Sequence, residues 1–427
     1  MFSLLWSEHC GYKHSARLLR RLPTSGDRVL QGPGENAGVV DLGEGLAVAF
    51  KVESHNHPTA VEPFQGAATG IGGILRDVVA MGARPIALLD GLFFGAPDHQ
   101  LERAVAGIGA YGNSVGVATV GGTTTFHPGY RDNCLVNAMC VGLLPSERLT
   151  RAHAGAPGSL VLLYGATTGR DGIGGASVLA SQELGEGAGE KRPSVQIGDP
   201  FTGKKLIEAS AELVECGVVD ALQDCGAAGL ASSLAELARD GAGIDVRLDR
   251  VPLREPDLEP WEVMISESQE RMLGVLPAER LPEAVAVCRK WELSHAVIGE
   301  VTDAGLLRAL WQDEEVGAIP ARLLTDEAPR YEVEQAPGAP APGRDVVDAP
   351  ATGDALLDLL ATPNLRSREF VFRRYDQLVG SRTVRRPGLD AAVLRLRPSY
   401  RGLAVTLDGQ GRIASLDPFV GGALAVL

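Results

Sequence analysis

The chain repeats one sequence frame near its two ends. "GLAVAFKVESHNHPTAVEPFQGAATG", residues 45–70, and "GLAVTLDGQGRIASLDPFVGGALAV", residues 402–426, share G-L-A-V, then an acid followed by Pro-Phe, then G-x-A, with a two-residue difference in spacing. The preceding segments also correspond, "NAGVVDL" at 36–42 with "DAAVLRL" at 390–396. Because long self-similarity is typical of duplicated structural units, the sequence predicts two copies of one fold.

The two copies differ in their polar residues. The first copy has "KVESHNH", residues 51–57, where the second has "DGQGR", residues 408–412. If both copies pack alike, the fold does not need the polar set of the first copy, and this favours a function for it.

Strand-like and helix-like segments alternate between the two copies. "GLAVAFKVE" and "RPIALLDGLFF" predict strands, and "GAATGIGGILRDVVAMGA" between them predicts a glycine-rich turn that leads into a helix. "APGAPAPGR", residues 336–344, is typical of a linker, because proline and glycine suit neither helix nor strand interiors. The sequence thus predicts an α/β (α+β) fold. The expected divisions are a helical segment at 1–35, an α/β domain with the site motifs at 36–150, a second α/β domain at 151–330, the linker at 331–350, and the start of a degenerate second copy at 351–427.

Composition restricts the class of protein further. A length of 427 residues with 45% hydrophobic residues allows two or three domains. The net charge of −14 argues against nucleic-acid binding, although a few N–H groups and one or two cations can still hold a small phosphate ligand. The six cysteines form no Cys-x-x-Cys pair, which argues against structural zinc and a disulfide scaffold. With no apolar stretch of bilayer length and no signal peptide, we expect a cytoplasmic protein that does not contact membranes.

The polar stretch at the end of the first strand is the main candidate site. Side chains alternate along a strand, so Lys51, Glu53 and His55 would share one face and gather a cation, an acid and an imidazole. A satisfied polar loop and a metal-hydrolase site built on His55-x-His57 remain alternatives.

A second polar segment, "SEHCGYKHS" at residues 7–15, precedes this strand. On a helix, His9, Tyr12 and Lys13 would fall on one face and could meet one ligand together. An ordinary exposed helix face is the alternative.

Carboxylates and glycine-rich turns suggest a metal and a phosphate. The turns "GAATGIGGILRD" at 66–77 and "ATTGRDGIGGAS" at 166–177 could direct N–H groups at an anion. Arg76 and Asp77 could equally be a surface ion pair. The acids expected to face a metal are Glu53, Asp77, Asp224 and Glu267, and such hard oxygen donors suit Mg²⁺ better than Zn²⁺.

Eight ordered motifs resemble one enzyme family. They are "WSEHCGYK", "FKVESHNHP", "GAATGIGGILRD", "TGRDGIGGAS", "QIGDPF", "QDCGAAG", "LDRVPLRE" and "ISESQERM". In this order they resemble the small-type synthetase subunits of phosphoribosylformylglycinamidine synthases. The resemblance implies a C–N ligase of purine biosynthesis, in which ATP phosphorylates an amide oxygen of formylglycinamide ribonucleotide and ammonia then displaces the phosphate. It also implies two partners, a glutaminase subunit that supplies the ammonia and a small bridging subunit.

The resemblance also implies residue roles. Tyr12 and Lys51 would contact ATP, Glu53 would bind Mg²⁺, and Asp77 and Asp224 would bind a second Mg²⁺. His9 would be an active-site residue, and His55 would be the proton acceptor. The residues implied to contact substrate are Ser54, His55, Asn56, His57, Arg76, Gln196, Glu267, Ser268 and Gln269.

The implied architecture is a tandem of aminoimidazole-ribonucleotide-synthetase-like halves, each with an N-terminal α/β domain and a C-terminal α/β sandwich domain. The chain departs from this pattern in lacking a segment before "WSEHC" and a complete second half after Leu427, so we expect truncation at both ends and low activity alone. "VGGTTTF" also has Thr123 where an acid is expected. A non-catalytic assembly module therefore stands beside the hydrolase as an alternative.

Overall fold

The computed structural model describes residues 5–173, 195–239, 241–334 and 351–427, with the backbone alone at Glu8 and His9. The strands are β1 Val29–Gln31, β2 Gly38–Gly43, β3 Leu46–Ser54, β4 Arg84–Phe94, β5 Ala118–Phe126, β6 Leu135–Pro145, β7 Leu160–Gly165, β8 Ala221–Asp224, β9 Gly243–Arg247, β10 Arg271–Leu276, β11 Ser294–Thr302, β12 Leu306–Trp311, β13 Glu314–Pro320, β14 Thr383–Arg385, β15 Ala392–Arg395 and β16 Gly402–Val405. The α-helices are α1 Glu8–Gly11, α2 Ala16–Leu19, α3 Asn56–Val61, α4 Pro63–Ala80, α5 His99–Val115, α6 Pro200–Glu215, α7 Leu230–Leu237, α8 Pro260–Ile265, α9 Leu281–Lys290, α10 Gly353–Ala361, α11 Glu369–Phe372, α12 Gly411–Leu416 and α13 Pro418–Val426.

Two mixed sheets carry most of the fold. The first has the order β1-β2-β3-β6-β4-β5 and is antiparallel except between β4 and β5. The second has the order β13-β12-β9-β11-β7-β10-β8 and is antiparallel except between β9 and β12. One hydrophobic core contains side chains of both sheets and of α4, α5 and α6. These helices therefore connect the two sheets, and the α/β class predicted from the sequence is confirmed.

The glycine-rich stretch at 66–77 lies inside a helix, so the predicted turn is wrong. Helix α4 begins at Pro63 and continues through the glycines to Ala80. A Cβ at Gly66 would lie 2.3 Å from the Pro58 backbone, and one at Gly70 would lie 2.9 Å from the His55 Cβ. The glycines therefore permit close packing, and this offsets their low helix propensity.

A third, smaller sheet repeats the start of the first. β14, β15 and β16 pair antiparallel in sequence order, as β1, β2 and β3 do. After β16 come the short helix α12 and a helix that begins with Pro-Phe, as α3 and α4 follow β3. The residues before the short helices have almost the same dihedral angles, φ −120° and ψ 52° at His55 against φ −119° and ψ 51° at Gln410. The repeated sequence frame thus corresponds to a repeated backbone path.

The N-terminal segment differs from its sequence prediction. α1 ends at Gly11, and Tyr12 has a left-handed backbone with φ 49°. Tyr12 and Lys13 therefore do not extend the helical face of His9. In the described ranges, no helix has the length and hydropathy that a membrane crossing requires.

Candidate active site

An ion-pair cluster forms where β3 faces α4. Burial alternates along the end of β3, so Lys51 and Glu53 point inward while Val52 is exposed. The Lys51 Nζ lies 2.8 Å from the Asp77 Oδ2 and 3.0 Å from the Glu53 Oε2. The predicted shared face of Lys51 and Glu53 is thus present, and α4 adds Asp77 to it.

Burial and neighbouring charges shift the pKa values of the residues in this cluster. Burial by itself would lower the pKa of Lys51, but the Asp77 and Glu53 carboxylates outweigh it and hold that pKa well above its usual value. Burial raises the pKa of Asp77 well above its usual value, and the negative charges of Asp224 and Glu53 raise it further. Burial likewise raises the pKa of Asp224. Glu53, Asp77 and Asp224, three of the four acids expected to face a metal, therefore act on one another and on one ammonium group, whereas Glu267 is bonded to Gln196 and Ala228.

Arg76 lies beside the cluster and has hydrogen-bond donors that are not paired. Its side chain is 3% exposed, and its Nη2 donates to the Gln269 Oε1 at 2.9 Å. Its Nε is 3.7 Å from the Asp224 Oδ2, which is ion-pair but not hydrogen-bond distance. Within the described residues, the Nε and Nη1 groups of Arg76 have no hydrogen-bond partner. A buried guanidinium with two unused donors is suited to an anionic ligand.

The segment "SESQ", residues 266–269, follows α8 and is nearly inaccessible to solvent. The Glu267 carboxylate accepts from the Gln196 Nε2 at 2.7 Å and from the Ala228 N–H at 2.9 Å. The Ser268 hydroxyl accepts from the Gly169 N–H at 2.9 Å. These bonds bring Gln196 together with residues 267–269, which lie about seventy positions away in the sequence.

A cavity of about 420 Å³ opens beside Gln196. Six of its eight lining residues are polar or charged, and its volume is in the range of small-molecule sites. The polar lining residues are Glu62, Gln65, Arg170, Asp171, Gln196 and Glu255.

The Ser-His-Asn-His stretch crosses from β3 into α3. The His55 ring is buried and its Nδ1 contacts the Gly66 carbonyl oxygen. A carbonyl accepts only, so Nδ1 is the protonated nitrogen and a proton-acceptor role would fall to Nε2. Ser54 hydrogen-bonds the Asn137 side chain, and the Asn56 Nδ2 donates to Asn133 at 3.3 Å. The predicted common face of His55 with Lys51 and Glu53 is therefore only partly realised, because β3 ends at Ser54.

Tyr12 is electrostatically coupled to the cluster. Burial and then the Glu53 carboxylate raise the pKa of Tyr12 to about 12, although Lys51 acts in the opposite direction. The predicted nucleotide contacts Tyr12 and Lys51 are thus close enough to influence each other. The His9 side chain lies outside the described part of the chain.

The acids predicted to bind metal do not form a metal-binding arrangement in the described residues. In the described ranges, no group of three or more His, Cys, Asp or Glu side chains is arranged to hold a metal ion. This applies to the His55-x-His57 hydrolase site as well as to Glu53, Asp77 and Asp224. The three acids are nevertheless oxygen donors with excess negative charge, which is the donor chemistry that Mg²⁺ prefers.

Glu236 is an acid near the cluster that sequence reasoning missed. Its Oε2 accepts from the Gln223 Nε2 at 2.7 Å, and the Gln223 Oε1 accepts from the Asn36 Nδ2 at 3.0 Å. Burial raises the pKa of Glu236 to about 6, against the effect of Arg239 and with that of Asp224. "AELARD" reads as an ordinary helix end, so no local signal marks Glu236. Its adjacency to "QDCG" in space is the missing information.

Family models match both units of the described fold. The N-terminal domain of AIR synthase related proteins matches residues 34–144, and the C-terminal domain matches residues 156–312. The phosphoribosylformylglycinamidine synthase subunit PurL of Caldanaerobacter subterraneus subsp. tengcongensis is 50% identical over 100% of the chain and 60% of its own length. That of Anaeromyxobacter dehalogenans is 52% identical, over 100% of the chain and 58% of its own length. The chain thus spans about 60% of the length of these relatives.

Solved structures agree with these relatives. The structure of T. maritima PurL complexed with FGAR has a TM-score of 0.86 at 41% identity, over 100% of the chain and 66% of its own. T. maritima PurL complexed with ADP has a TM-score of 0.82 at 39% identity, and PurLQS from Thermotoga maritima has 0.83 at 39%, each over 100% of the chain and 65% of its own. The tandem synthetase-like architecture implied by the motifs is thereby confirmed. The chain belongs to the AIR synthase related proteins, and over its full length it is similar to phosphoribosylformylglycinamidine synthase PurL subunits.

Proposed function

We propose that the chain binds formylglycinamide ribonucleotide and ATP for a ligase reaction of purine biosynthesis. In that reaction, ribonucleotide, ATP and ammonia give formylglycinamidine ribonucleotide, ADP and phosphate. Support comes from the PurL relatives and from the T. maritima structures complexed with FGAR and with ADP. The chain spans 60% of the length of the relative from Caldanaerobacter. The activity of that whole protein is therefore a proposal for this chain.

The observation that carries the proposal is the buried Arg76. Leaving two guanidinium nitrogens, Nε and Nη1, unpaired away from water is costly, and an anionic oxygen would remove that cost. The partner at Nη2, Gln269, belongs to a segment that also contacts Gln196 at the cavity. A phosphorylated substrate that extends from Arg76 towards the cavity fits both features.

The Lys51 cluster would serve the nucleotide. Lys51 keeps its positive charge because Asp77 and Glu53 raise its pKa, and it lies beside Tyr12. Glu53, Asp77 and Asp224 would hold Mg²⁺, which when bound neutralises charge on a transferring phosphoryl group. Lys51 contributes a fixed cation to the same region.

The His55 ring would accept a proton from the incoming nitrogen. Ammonia loses protons as it becomes an amidine nitrogen, and a neutral imidazole can accept one near neutral pH. The Nδ1 contact with the Gly66 carbonyl orients the ring so that Nε2 would be the acceptor. The other proposed contacts to substrate are Ser54, Asn56, His57, Gln196, Glu267, Ser268 and Gln269, and His9 is a proposed active-site residue.

We further propose a glutaminase subunit and a small bridging subunit as partners. The PurLQS structure from Thermotoga maritima supports a complex of several subunits, and co-purification with those subunits would test it. A cytoplasmic location accords with this pathway. The proposed domain divisions stay as predicted, with boundaries at 35, 150, 330 and 350.

Calorimetry and an ADP assay test the proposed function. We expect the chain to bind formylglycinamide ribonucleotide, and Arg76→Gln to weaken binding by about tenfold or more, since a charged hydrogen bond to phosphate is lost. Arg84→Gln is the matched control, because Arg84 forms only an exposed pair with Glu208.

The assay also separates the alternatives. ADP formation that requires Mg²⁺, ribonucleotide and ammonia supports the ligase. Tightly bound zinc with hydrolysis and no ADP would support the hydrolase. Neither binding nor turnover would support a non-catalytic module and would contradict the proposal.

A further inference from the structure

A buried tyrosine and a buried glutamate meet behind the Arg76 site. The Tyr111 hydroxyl on α5 donates to the Glu270 Oε1 at 2.8 Å, and both residues are 2% exposed. A Cβ at Gly203 would lie 2.4 Å from this hydroxyl oxygen, and one at Gly72 would lie 2.8 Å from it. Glycines of α4 and α6 therefore make the space into which the hydroxyl fits.

Glu270 is held in an unfavourable backbone conformation. Its φ is 55°, a left-handed region that residues other than glycine seldom adopt. The preceding residue, Gln269, binds Arg76, and the following one, Arg271, is fully buried and donates to the Ser266 and Ser268 carbonyl oxygens. The left-handed residue Glu270 thus lies between two buried residues that are held by hydrogen bonds, Gln269 and Arg271.

The charges around Glu270 also connect it to Arg76. Burial raises the pKa of Glu270 to about 7, although the Arg76 charge, the Tyr111 hydroxyl and the Asp199 backbone N–H lower it; the Asp199 carboxylate raises it slightly. Burial alone would lower the pKa of Arg76, but Asp224 and then Glu270 raise it. The Asp224 and Glu270 carboxylates therefore both act electrostatically on Arg76, and Gln269 is its hydrogen-bond acceptor.

We propose that Glu270 and Tyr111 are positioning residues for the anion site at Arg76. The Tyr111 hydroxyl fixes the Glu270 carboxylate, Glu270 fixes the left-handed turn before β10, and the turn holds Gln269 against the Arg76 Nη2. The Nε and Nη1 groups are then directed at the phosphorylated ligand. This inference rests on the proposed function, because that ligand is the ribonucleotide.

The test uses four variants and two readouts. Calorimetry with formylglycinamide ribonucleotide is done at a temperature where every variant is folded. We expect Tyr111→Phe and Glu270→Ala to weaken binding by about tenfold, because each removes the bond that fixes the turn. Glu270→Gln still accepts from Tyr111 and should stay within about threefold of the wild type.

Tyr375→Phe is the matched control. It removes a similarly buried bond, from the Tyr375 hydroxyl to the Asp90 Oδ2 at 2.6 Å, where the C-terminal unit packs on β4, and should leave the affinity unchanged. An equal loss in Tyr375→Phe would mean general destabilisation and would overturn the proposal. A loss of affinity in Glu270→Gln as large as that in Glu270→Ala would also overturn the proposal.

Crystal structures separate this inference from the proposed function. In Glu270→Ala we expect the Arg76–Gln269 hydrogen bond to be lost, while Glu270→Gln and Tyr375→Phe retain it. If the wild type does not bind the ribonucleotide, the proposed function fails, but the position of Gln269 still decides the inference. An unchanged Gln269 in Glu270→Ala would refute it.

Discussion

At the scale of residues, the site depends on which charges share one buried space. Lys51 and Glu53 could be paired from the sequence, since a strand has a period of two. That Asp77 pairs with the same ammonium, and that Asp224 lies at ion-pair distance from the neighbouring Arg76, could not be predicted, because Asp77 is on a helix and Asp224 is on the edge strand of another sheet. Glu236 is missed for the same reason. The spacing of residues in the sequence predicts which side chains share a face of one strand or helix. It does not predict which charges meet between separate elements.

Removing the shared cation tests this cluster. Lys51→Met leaves the carboxylates of Asp77 and Glu53 without their ammonium, and we expect the free energy of unfolding at pH 8 to fall by about 2 kcal/mol. The loss should shrink as pH falls, because Asp77 has a raised pKa and can be neutralised by protonation. Urea denaturation at pH 8 and pH 5 measures both values.

Lys204→Met is the control for this measurement. Lys204 forms an i,i+4 pair with Glu208 on the surface of α6, and such pairs contribute about 0.5 kcal/mol or less. An effect of Lys51→Met no larger than this, or one that does not depend on pH, would contradict the shared-cation interpretation.

At the scale of elements, α4 shows how packing overrides propensity. Four glycines between Gly66 and Gly73 predict a turn, yet they lie inside an 18-residue helix. Gly66 and Gly70 let the α3 backbone and the His55 ring approach, and Gly72 admits the Tyr111 hydroxyl. A single sequence does not state which neighbours will approach a helix, so the low helix propensity of glycine predicted the wrong local structure.

Two glycines of α4 give a matched pair of variants. We expect Gly66→Ala to lower the free energy of unfolding by about 2 kcal/mol or more, since its Cβ would lie 2.3 Å from the Pro58 and Thr59 backbone. Gly73→Ala should raise the free energy of unfolding by about 0.5 to 1 kcal/mol, because the nearest atom to its Cβ, the Arg76 Nη2, is 4.0 Å away and leaves room for a methyl group. Thermal and urea unfolding measure both. If both variants stabilise, the close-packing explanation is wrong.

At the scale of the whole molecule, the C-terminal unit is joined to the first sheet through buried groups. Tyr375 donates to Asp90 on β4, and Asn364 exchanges hydrogen bonds with the Phe126 backbone at the end of β5. The core of this junction combines Leu89 and Val120 with Leu394 and Val405. The duplicated sequence therefore packs copy against copy.

This junction predicts a dependence of stability on pH. Burial raises the pKa of Asp90 to about 7, although the Tyr375 hydrogen bond opposes the rise. A carboxyl group whose pKa is higher in the folded state stabilises fully below its unfolded pKa, near 4, and this contribution is lost as pH rises to about 7. A difference of about three pKa units between the folded and unfolded states corresponds to a loss of about 4 kcal/mol in the free energy of unfolding between pH 4 and pH 7.

Asp90→Asn should make the free energy of unfolding depend less on pH between pH 4 and pH 7. An asparagine can still accept from Tyr375 but does not titrate, so we expect the variant to be more stable than the wild type at pH 8 and similar to it at pH 4. Urea denaturation between pH 4 and pH 8 checks this. A variant whose stability falls with pH as steeply as that of the wild type would show that other groups govern the profile.

The sequence by itself determined the α/β class, the duplicated frame, the family and most of the polar residues of the candidate site, because periodicity and motif order are properties of the chain. Only the tertiary structure decided which of those residues meet. It placed Arg76 against Gln269 with two donors unpaired, gave Lys51 two carboxylates, turned the His55 ring onto the Gly66 carbonyl, and set Tyr111 and Glu270 behind the site. The physical reason is that burial, charge coupling and hydrogen-bond geometry depend on distances between elements far apart in sequence.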